Sequence, residues 1–363
     1  ARCTGNDRFD AHPQANDWYE TIKLNYGIDY CDWGGRSNHF NPIPDTWHKM
    51  TDILLFWAAK GIDGFRCDMA EMVPHEFWKY ATEKVKAQYP HIVFIGEVYD
   101  PNQYRTYIAA GFDYLYDKVG MYDCLRDVMC EHRSANDITR QWQATDDISK
   151  HVLYFLENHD EQRIASNFFC GNMQKGIPAL IVAALFQCNP IMIYAGQEFG
   201  EKGMDGEGFS GIDGRSTIFD YWSIDAIRKG FFERSKLSAE QVQLEKEYRK
   251  ILTLCNSEKA ISNGKTFDLM YANETNDAFD SNKQFAFLRS SNNTTLLIVA
   301  NFSKTEAHIR VNIPAHAFDY MEIKEGKKNM VDLLSGNHQS VVLQKDSSIE
   351  IVVPALNGRV YKF

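Results

Sequence analysis

Helical and strand-like segments alternate from residue 44 to residue 262, and this alternation constrains the fold more than any other feature of the chain. Apolar residues recur at helical spacing in segments 44–61 and 74–89, and each segment is followed by a short apolar run, at 62–68 and 92–98. The same pattern predicts three further strands, at 112–117, 152–160 and 190–198. Five strands separated by helices are typical of an α/β fold with a parallel sheet.

The pattern changes after residue 262. Short alternating segments separated by Asn-rich turns predict an antiparallel β-sandwich at 263–363, and no helix is expected there. The predicted domains are therefore a β/α portion at 44–262 and an all-β domain at 263–363, preceded by a loop-like segment at 1–43. Within the β/α portion, residues 121–143 are expected to form one longer helical stretch.

Charge and hydropathy exclude two classes of partner. The 39 Lys and Arg residues against 49 Asp and Glu residues give a net charge of −10, which disfavours nucleic acid. The longest apolar run, at 177–187, is far shorter than the roughly 20 residues of a membrane span. The composition is typical of a soluble globular protein. The start of the chain is not typical of a signal peptide, but a signal could be missing from it, so the compartment stays open, as does the oligomeric state.

The eight cysteines are dispersed and form no Cys-x-x-Cys pair. A zinc site is therefore not expected. Most of the thiols are predicted to be free, since a chain of 363 residues does not need disulfides to stabilise its core.

Carboxylates lie at the ends of three predicted strands, at Asp68, Glu97 and Asp160. Strand alternation places Arg66 on the same face as Asp68. Catalytic residues of a β/α barrel come from the C-terminal ends of several parallel strands. Taken singly, an Arg-x-Asp pair, a strand-end Glu and an Asn-His-Asp turn each have ordinary structural explanations. Their joint placement at successive strand ends instead favours an active site.

Retaining glycoside hydrolysis fits this set of residues. It needs one ionised carboxylate as nucleophile and one protonated carboxyl group as acid, about 5–5.5 Å apart. Arg66 would keep Asp68 ionised, and Glu97, flanked by apolar residues, could retain its proton and act as the acid. Asp160 and His159 would then bind sugar hydroxyls.

The segments Gly-Phe-Arg-Cys-Asp at 64–68, Gly-Glu-Val at 96–98 and Phe-Leu-Glu-Asn-His-Asp at 155–160 resemble the second, third and fourth signature regions of the α-amylase family, glycoside hydrolase family 13. The resemblance implies Asp68 as nucleophile, Glu97 as general acid/base and Asp160 as the third carboxylate. It also implies sugar contacts in this region, and the residues assigned to substrate binding are Arg66, Asn158, His159, Tyr99 and Arg163. For Tyr99 and Arg163, a packing or ion-pair role is an equal alternative.

The order of the signatures also implies a fold. It makes the strand that ends at Asp68 the fourth of a (β/α)₈ barrel, so the chain is expected to hold strands four to eight of a partial TIM barrel, followed by the β-sandwich. Residues 1–43 then resemble the end of the excursion after barrel strand three. The first signature is not found, because Asn38-His39 follows a segment read as a loop and not as an apolar strand.

Calcium is not favoured as a ligand. Many family members continue the second signature with Lys-His, whose His carbonyl helps to bind Ca²⁺, whereas this chain has Glu71-Met72. The resemblance allows calcium only through a backbone carbonyl at Met72. No metal ligand and no cofactor are therefore assigned.

The resemblance implies a hydrolase of α-1,4-glucosidic bonds in starch or maltodextrins, so an α-glucan is the expected partner. Two alternatives stay open, a non-catalytic glucan-binding or interaction protein on the same scaffold and an inactive fragment of an amylase. Three rings in the N-terminal segment, Trp18, Tyr19 and Trp33, either stack on sugars or belong to a core.

Overall fold

A computed structural model describes residues 14–18, 21–32, 35–203, 212–216, 224–292 and 294–363. Tyr19, Trp33 and Cys3 lie outside these ranges, as do residues 204–211 and 217–223. The chain divides into two compact units, Ala1–Tyr116 and Asp117–Phe363, which are described one after the other.

The first unit begins with a hairpin. The antiparallel strands β1 (Ile28–Asp32) and β2 (Gly35–Asn38) pair with Ile28 opposite Asn38. The prediction that residues 1–43 are loop-like is wrong for this stretch. Hydrogen bonds between the two strands stabilise the hairpin, although neither strand has the apolar run by which strands were recognised in the sequence. Asn38 therefore ends an antiparallel strand, and the His39 N–H donates to the Gly27 carbonyl at 2.6 Å.

Three parallel strands form the centre of the first unit, and helices connect them as predicted. β3 pairs with β4, and β4 with β5, all in parallel. The elements in chain order are α1 (Asp45–Ala58), β3 (Gly64–Cys67), α2 (His75–Gln88), β4 (Val93–Gly96), α3 (Tyr104–Ala109) and β5 (Tyr114–Tyr116).

Aromatic rings pack the helices of this unit against its sheet. Trp78 meets Phe112 edge-on at 5.1 Å between ring centroids, and Phe112 meets Phe94 in the same way at 6.3 Å. Gly96 ends β4 directly under Phe112 and Leu115, where an added Cβ would lie only 2.8 Å from both side chains. Glycine at this position thus permits the close packing that fixes the strand end preceding Glu97.

The second unit starts with the remaining β/α elements, in which β6 and β7 pair in parallel. The elements in chain order are α4 (Asp123–Met129), α5 (Asp137–Ala144), β6 (Val152–Phe155), α6 (Gly176–Leu185), β7 (Ile191–Met192), α7 (Asp225–Phe232), α8 (Ala239–Ser257) and α9 (Lys259–Ser262).

The single helix predicted at 121–143 is wrong, because the chain breaks between α4 and α5. Glu131 adopts a left-handed conformation with φ of 64°, which ends the first helix. Beyond it, the N–H groups of Ala135 and Asn136 donate to the carbonyls of Asn282 and Ser281. These backbone bonds tie the break to a distant loop, a long-range constraint that apolar periodicity does not reveal.

Two antiparallel sheets form the rest of the second unit. One has six strands in the order β13-β12-β15-β10-β9-β8, and the other pairs β11 with β14. The strands are β8 (Lys265–Asp268), β9 (Gln284–Ser291), β10 (Thr294–Asn301), β11 (Ala307–Ile313), β12 (Gly326–Asp332), β13 (His338–Leu343), β14 (Ser347–Val353) and β15 (Asn357–Lys362).

Sequence patterns missed four elements of this region. The strands β8 and β12 carry too many polar residues to show apolar alternation, and the expectation of no helix is wrong for α10 (Met270–Asn273) and α11 (Ala315–Met321). These helices have four and seven residues, so they are too short to show a helical period.

A buried arginine joins the sandwich to the preceding helices. Arg289 on β9 is completely buried, and its guanidinium donates to the carbonyls of Leu185 and Phe186 at the end of α6 and of Ala260 and Ile261 in α9. Burial lowers the pKa of Arg289. The carbonyls that Arg289 binds lie at helix ends, where carbonyls lack donors within their own helix. The hydrogen bonds therefore satisfy these carbonyls and attach the sandwich to α6 and α9.

Six cysteines within the described part of the chain are free thiols, as predicted.

Among the helices that the structure describes, none combines the length and the apolar character needed to cross a membrane.

Candidate active site

The register of β3 against β4 brings two strand ends together. Cys67 lies opposite Gly96, so the residues that follow each strand, Asp68 and Glu97, leave the sheet at the same edge. Backbone bonds continue beyond the strands, since the Glu97 N–H donates to the Cys67 carbonyl at 3.0 Å and the Ala70 N–H to the Glu97 carbonyl at 2.9 Å. The two loops are therefore fixed relative to one another.

Arg66 contacts both carboxylates with a single guanidinium. Its Nη1 donates to Asp68 Oδ1, and its Nη2 lies 3.0 Å from Glu97 Oε2. The contact with Asp68 matches the prediction from strand alternation. The contact with Glu97 was not predicted, because it depends on the register between neighbouring strands. One positive group thus contacts both acids.

The surroundings of Arg66 keep it charged. Burial by itself lowers its pKa, but a hydrogen bond to Tyr116, attraction by Glu97 and the hydrogen bond to Asp68 outweigh burial and raise the pKa overall. The guanidinium also lies over the Tyr116 ring, 5.4 Å from its centroid. Tyr116 ends β5 and was not singled out from the sequence, since its role depends on strand order.

Three donors surround Glu97, in place of the apolar environment expected from its sequence neighbours. In addition to Arg66, the Met69 N–H donates to Oε2 at 2.8 Å, and the Tyr99 hydroxyl donates to Oε1 at 2.9 Å. Met69 adopts a left-handed conformation with φ of 43°, uncommon for a residue other than glycine. This strained turn directs its N–H towards the carboxylate.

Asp68 and Glu97 differ sharply in exposure. The side chain of Asp68 is 71% exposed, whereas that of Glu97 is 7% exposed. Asp68 also borders a cavity of about 320 Å³ in the same unit, whose walls are largely apolar or aromatic. The cavity is lined by Trp18, Thr21, Ile22, Lys23, Leu24, Tyr26, Ile28, Tyr30, Asp68, Met69, Met72, Val73 and Pro74.

The second unit presents the third carboxylate on a tight turn after β6. The Oδ1 atom of Asn158 accepts the N–H groups of Asp160 and Glu161, both at 2.9 Å. His159 Nε2 lies 3.1 Å from Asp160 Oδ2, and both side chains are about one-third exposed. Asn158 is only 1% exposed, so it shapes the turn that presents His159 and Asp160 and does not offer its own oxygen to a sugar.

Arg163 does not have the sugar-binding role that one reading of the sequence assigned to it. Its side chain is completely buried and pairs with buried Glu157 at 2.8 Å. It also donates to Ser216 Oγ at 2.8 Å and to the Ala195 carbonyl at 3.0 Å, and it stacks on Tyr194 at 4.0 Å from the ring centroid. With every part of the guanidinium occupied inside the protein, Arg163 is a structural residue.

Two neighbouring side chains are excluded from the chemistry. Burial raises the pKa of the Cys67 thiol to about 12, which leaves it protonated and unsuited to act as a nucleophile. Glu71, which replaces the expected Lys, accepts the N–H groups of Tyr99 and Asp100 on Oε2, both at 3.0 Å.

Among the residues that the structure describes, no group of three or more His, Cys, Asp or Glu side chains could hold a metal ion.

Two family models match the chain. "Alpha amylase, catalytic domain" matches residues 42–294, and "Alpha amylase, C-terminal all-beta domain" matches residues 276–363. The first match covers more than half of the chain.

Known relatives align over different lengths. α-Amylase 3 of Dictyoglomus thermophilum is 23% identical over 329 residues, which covers 83% of this chain and 62% of that protein. An α-1,4-glucan:maltose-1-phosphate maltosyltransferase of Cereibacter sphaeroides is 32% identical over 92 residues, which covers 24% of this chain and 16% of that protein. The chain thus spans less than two thirds of the length of these relatives.

Solved structures show the same fold. The α-amylase of Anoxybacillus superposes with a TM-score of 0.66 at 19% identity, covering 91% of this chain and 65% of that one. The α-amylase of Geobacillus thermoleovorans, solved with acarbose, gives 0.66 at 18% identity, covering 91% and 66%. The expected fold class, a partial (β/α)₈ barrel followed by an antiparallel β-sandwich, is confirmed. The chain belongs to the α-amylase family.

Proposed function

We propose that this protein is a retaining α-glycosidase that hydrolyses α-1,4-glucosidic bonds in starch or maltodextrins. The observation that carries the proposal is the Arg66 guanidinium in contact with two strand-end carboxylates of opposite exposure. An exposed carboxylate beside a buried one provides the two roles that a retaining mechanism requires.

The proposed reaction has two steps. In the first, an Asp68 oxygen attacks the anomeric carbon while Glu97 gives its proton to the leaving glycosidic oxygen, so a glycosyl ester forms as the glycosidic bond breaks. In the second, Glu97 takes a proton from water, and the resulting hydroxide displaces Asp68 from the sugar. The cycle returns both carboxyl groups to their starting states, and it needs no metal or cofactor.

Exposure supports this division of roles. Asp68 must reach the anomeric carbon of a bulky sugar, and its 71% exposed side chain at the rim of a cavity permits that approach. Glu97 exchanges a proton with an oxygen and needs to be shielded from bulk water, which agrees with its 7% exposure. Met69 and Arg66 keep the Glu97 side chain in one orientation.

The turn after β6, in the second unit, carries the residues for which the family resemblance implies contacts to the sugar. Asp160 and His159 are partly exposed, and Asn158 fixes the backbone between them through two hydrogen bonds. Adjacent carboxylate and imidazole groups suit the recognition of neighbouring sugar hydroxyls. We assign Asp160 to binding hydroxyls of the reacting sugar and His159 to a contact beside it.

An α-glucan is the substrate class that the surroundings of Asp68 support best. Apolar faces of glucose units pack on aromatic rings, and Trp18 and Tyr30 both line the cavity that Asp68 borders. Relatives of the chain include a cyclomaltodextrinase and an intracellular maltogenic amylase. Trp18 is 43% exposed, which supports a stacking role for its ring.

The stereochemistry of the first product tests the proposal. Hydrolysis of maltoheptaose by this protein is expected to release products with the new reducing end in the α configuration, because two displacements at one carbon retain its configuration. Proton NMR during the first minutes resolves the two anomers before they equilibrate. A first product in the β configuration, or no release of reducing ends, would contradict the proposed function.

A further inference from the structure

Glu97 receives different kinds of donor on its two oxygens. Oε2 accepts the Met69 N–H at 2.8 Å and the Arg66 guanidinium at 3.0 Å, and neither of these groups can accept a hydrogen bond. Within the described part of the chain, Oε1 accepts only the Tyr99 hydroxyl, at 2.9 Å. A proton placed on Oε2 would face two donors, so the proton of the acid form belongs on Oε1.

A hydroxyl group suits the oxygen that gains and loses the proton. Tyr99 can donate to Oε1 while Glu97 is ionised, and its O–H can turn away once Oε1 is protonated. We propose that Tyr99 is a positioning residue that selects Oε1 as the proton-carrying oxygen of Glu97 and holds it towards the leaving group. This inference rests on the proposed glycosidase function, and it gives Tyr99 a role other than the sugar contact or the packing role that the sequence left open.

Glu71 fixes Tyr99 in this position. Glu71 Oε2 accepts the N–H groups of Tyr99 and Asp100, both at 3.0 Å, which anchors the start of the loop after β4. The Tyr107 hydroxyl donates to the Glu71 carbonyl at 3.2 Å and to the Val73 carbonyl at 3.0 Å. Glu71 therefore connects the loop that follows the nucleophile to the loop that follows the acid.

The charged and titratable groups around Glu97 in this unit come from three strands and their loops. β3 and its loop contribute Arg66, with Asp68 on the other side of the guanidinium, and Glu71, whose carboxylate faces backbone N–H groups. The loop after β4 contributes Tyr99, and β5 contributes Tyr116 through its bond to Arg66. Among these groups, Tyr99 is the one whose hydroxyl contacts Oε1. Removing that hydroxyl therefore changes the environment of Oε1 and leaves the contacts of Oε2 in place.

The Tyr99→Phe variant tests the proposal with two substrates that differ in their leaving groups. The leaving oxygen of maltoheptaose needs a proton from the acid, whereas fluoride departs from α-maltosyl fluoride without one. For both substrates, kcat/KM reports the steps up to formation of the glycosyl ester. We expect kcat/KM for maltoheptaose to fall about tenfold, the scale of one hydrogen bond to a charged group, and kcat/KM for the fluoride to stay within about twofold.

Two further variants keep the test specific. Glu71→Ala should reproduce the leaving-group pattern of Tyr99→Phe, and Glu71→Gln should recover activity because its amide oxygen still accepts both N–H groups. Tyr80→Phe is the matched control. Tyr80 lies on α2 and its hydroxyl contacts His48 of α1, so the variant should match wild type on both substrates.

The outcomes separate the two proposals. Turnover of α-maltosyl fluoride by wild-type protein tests the glycosidase function by itself, and the ratio of the two losses in Tyr99→Phe tests the role of Tyr99. Equal losses on both substrates, or no loss on either, would overturn the role of Tyr99 alone. A wild-type protein that turns over neither substrate would overturn both proposals.

Discussion

Replacing Asp68 with asparagine is expected to lower kcat/KM for maltoheptaose by a factor on the order of 10⁴ or more, the scale at which an enzyme loses its covalent nucleophile. Asparagine keeps the size of the side chain and a hydrogen-bond acceptor for Arg66, but its amide does not form the glycosyl ester. Because Asp68 is 71% exposed, the substitution should leave the fold intact. Release of reducing ends and far-UV circular dichroism measure the two effects.

Asp63→Asn is the matched control for this prediction. Asp63 precedes the same strand at its opposite end, where its carbonyl accepts the Val93 N–H at 3.0 Å. The substitution removes a carboxylate from the same strand without touching the catalytic end, so activity should stay close to that of wild type. An Asp68→Asn protein that keeps wild-type activity would rule out Asp68 as the nucleophile.

Replacing Arg163 with methionine is expected to reduce the free energy of unfolding by about 3–5 kcal/mol. The reason is that Glu157 would remain buried without its positive partner, and burial already raises the pKa of that carboxyl group despite the presence of Arg163. Ser216 Oγ and the Ala195 carbonyl would lose donors as well. Urea denaturation followed by tryptophan fluorescence measures the loss.

Two comparisons isolate the buried charge as the cause. Arg140→Met removes a guanidinium that is 80% exposed and 3.8 Å from Asp137, so its effect should stay within about 0.5 kcal/mol. Combining Arg163→Met with Glu157→Leu removes both charges and should restore part of the lost stability. If Arg163→Met and Arg140→Met prove equally stable, the account of Arg163 as a structural residue is wrong.

The strand ends could be predicted because their signal is local. Strand alternation alone places Arg66 and Asp68 on one face, and the helices before each strand identify Asp68 and Glu97 as strand-end residues. The structure places both beside Arg66. Apolar flanks, in contrast, were a poor guide to the environment of Glu97, because its donors come from neighbouring strands and loops.

Contacts across loops explain most of what the sequence did not predict. The position of Tyr99 after a strand left a sugar contact and a packing role equally open, and its hydroxyl turns back to Glu97. Glu71 looked like the loss of a calcium-binding signature, whereas it anchors Tyr99 and Asp100. Both roles depend on the register of β3 against β4, which a single sequence does not specify.

Burial was equally difficult to predict for charged residues. Arg163 lies three residues beyond Asp160, and only the fold shows that it points inward to Glu157. Arg289 lies in a β-strand whose other residues gave no sign that it would bind carbonyls at the ends of two helices. A buried arginine resembles a surface arginine in sequence, since its partners come from distant segments.

Trapping a covalent glycosyl ester on Asp68 is the sharpest test of the proposed mechanism. A 5-fluoro-α-glycosyl fluoride forms the ester and hydrolyses slowly, so intact mass spectrometry should show the addition of one glycosyl unit. Peptide mapping should then locate the addition on Asp68. A glycosyl unit located on Glu97 or Asp160, or no addition to a protein that actively hydrolyses maltoheptaose, would contradict the account.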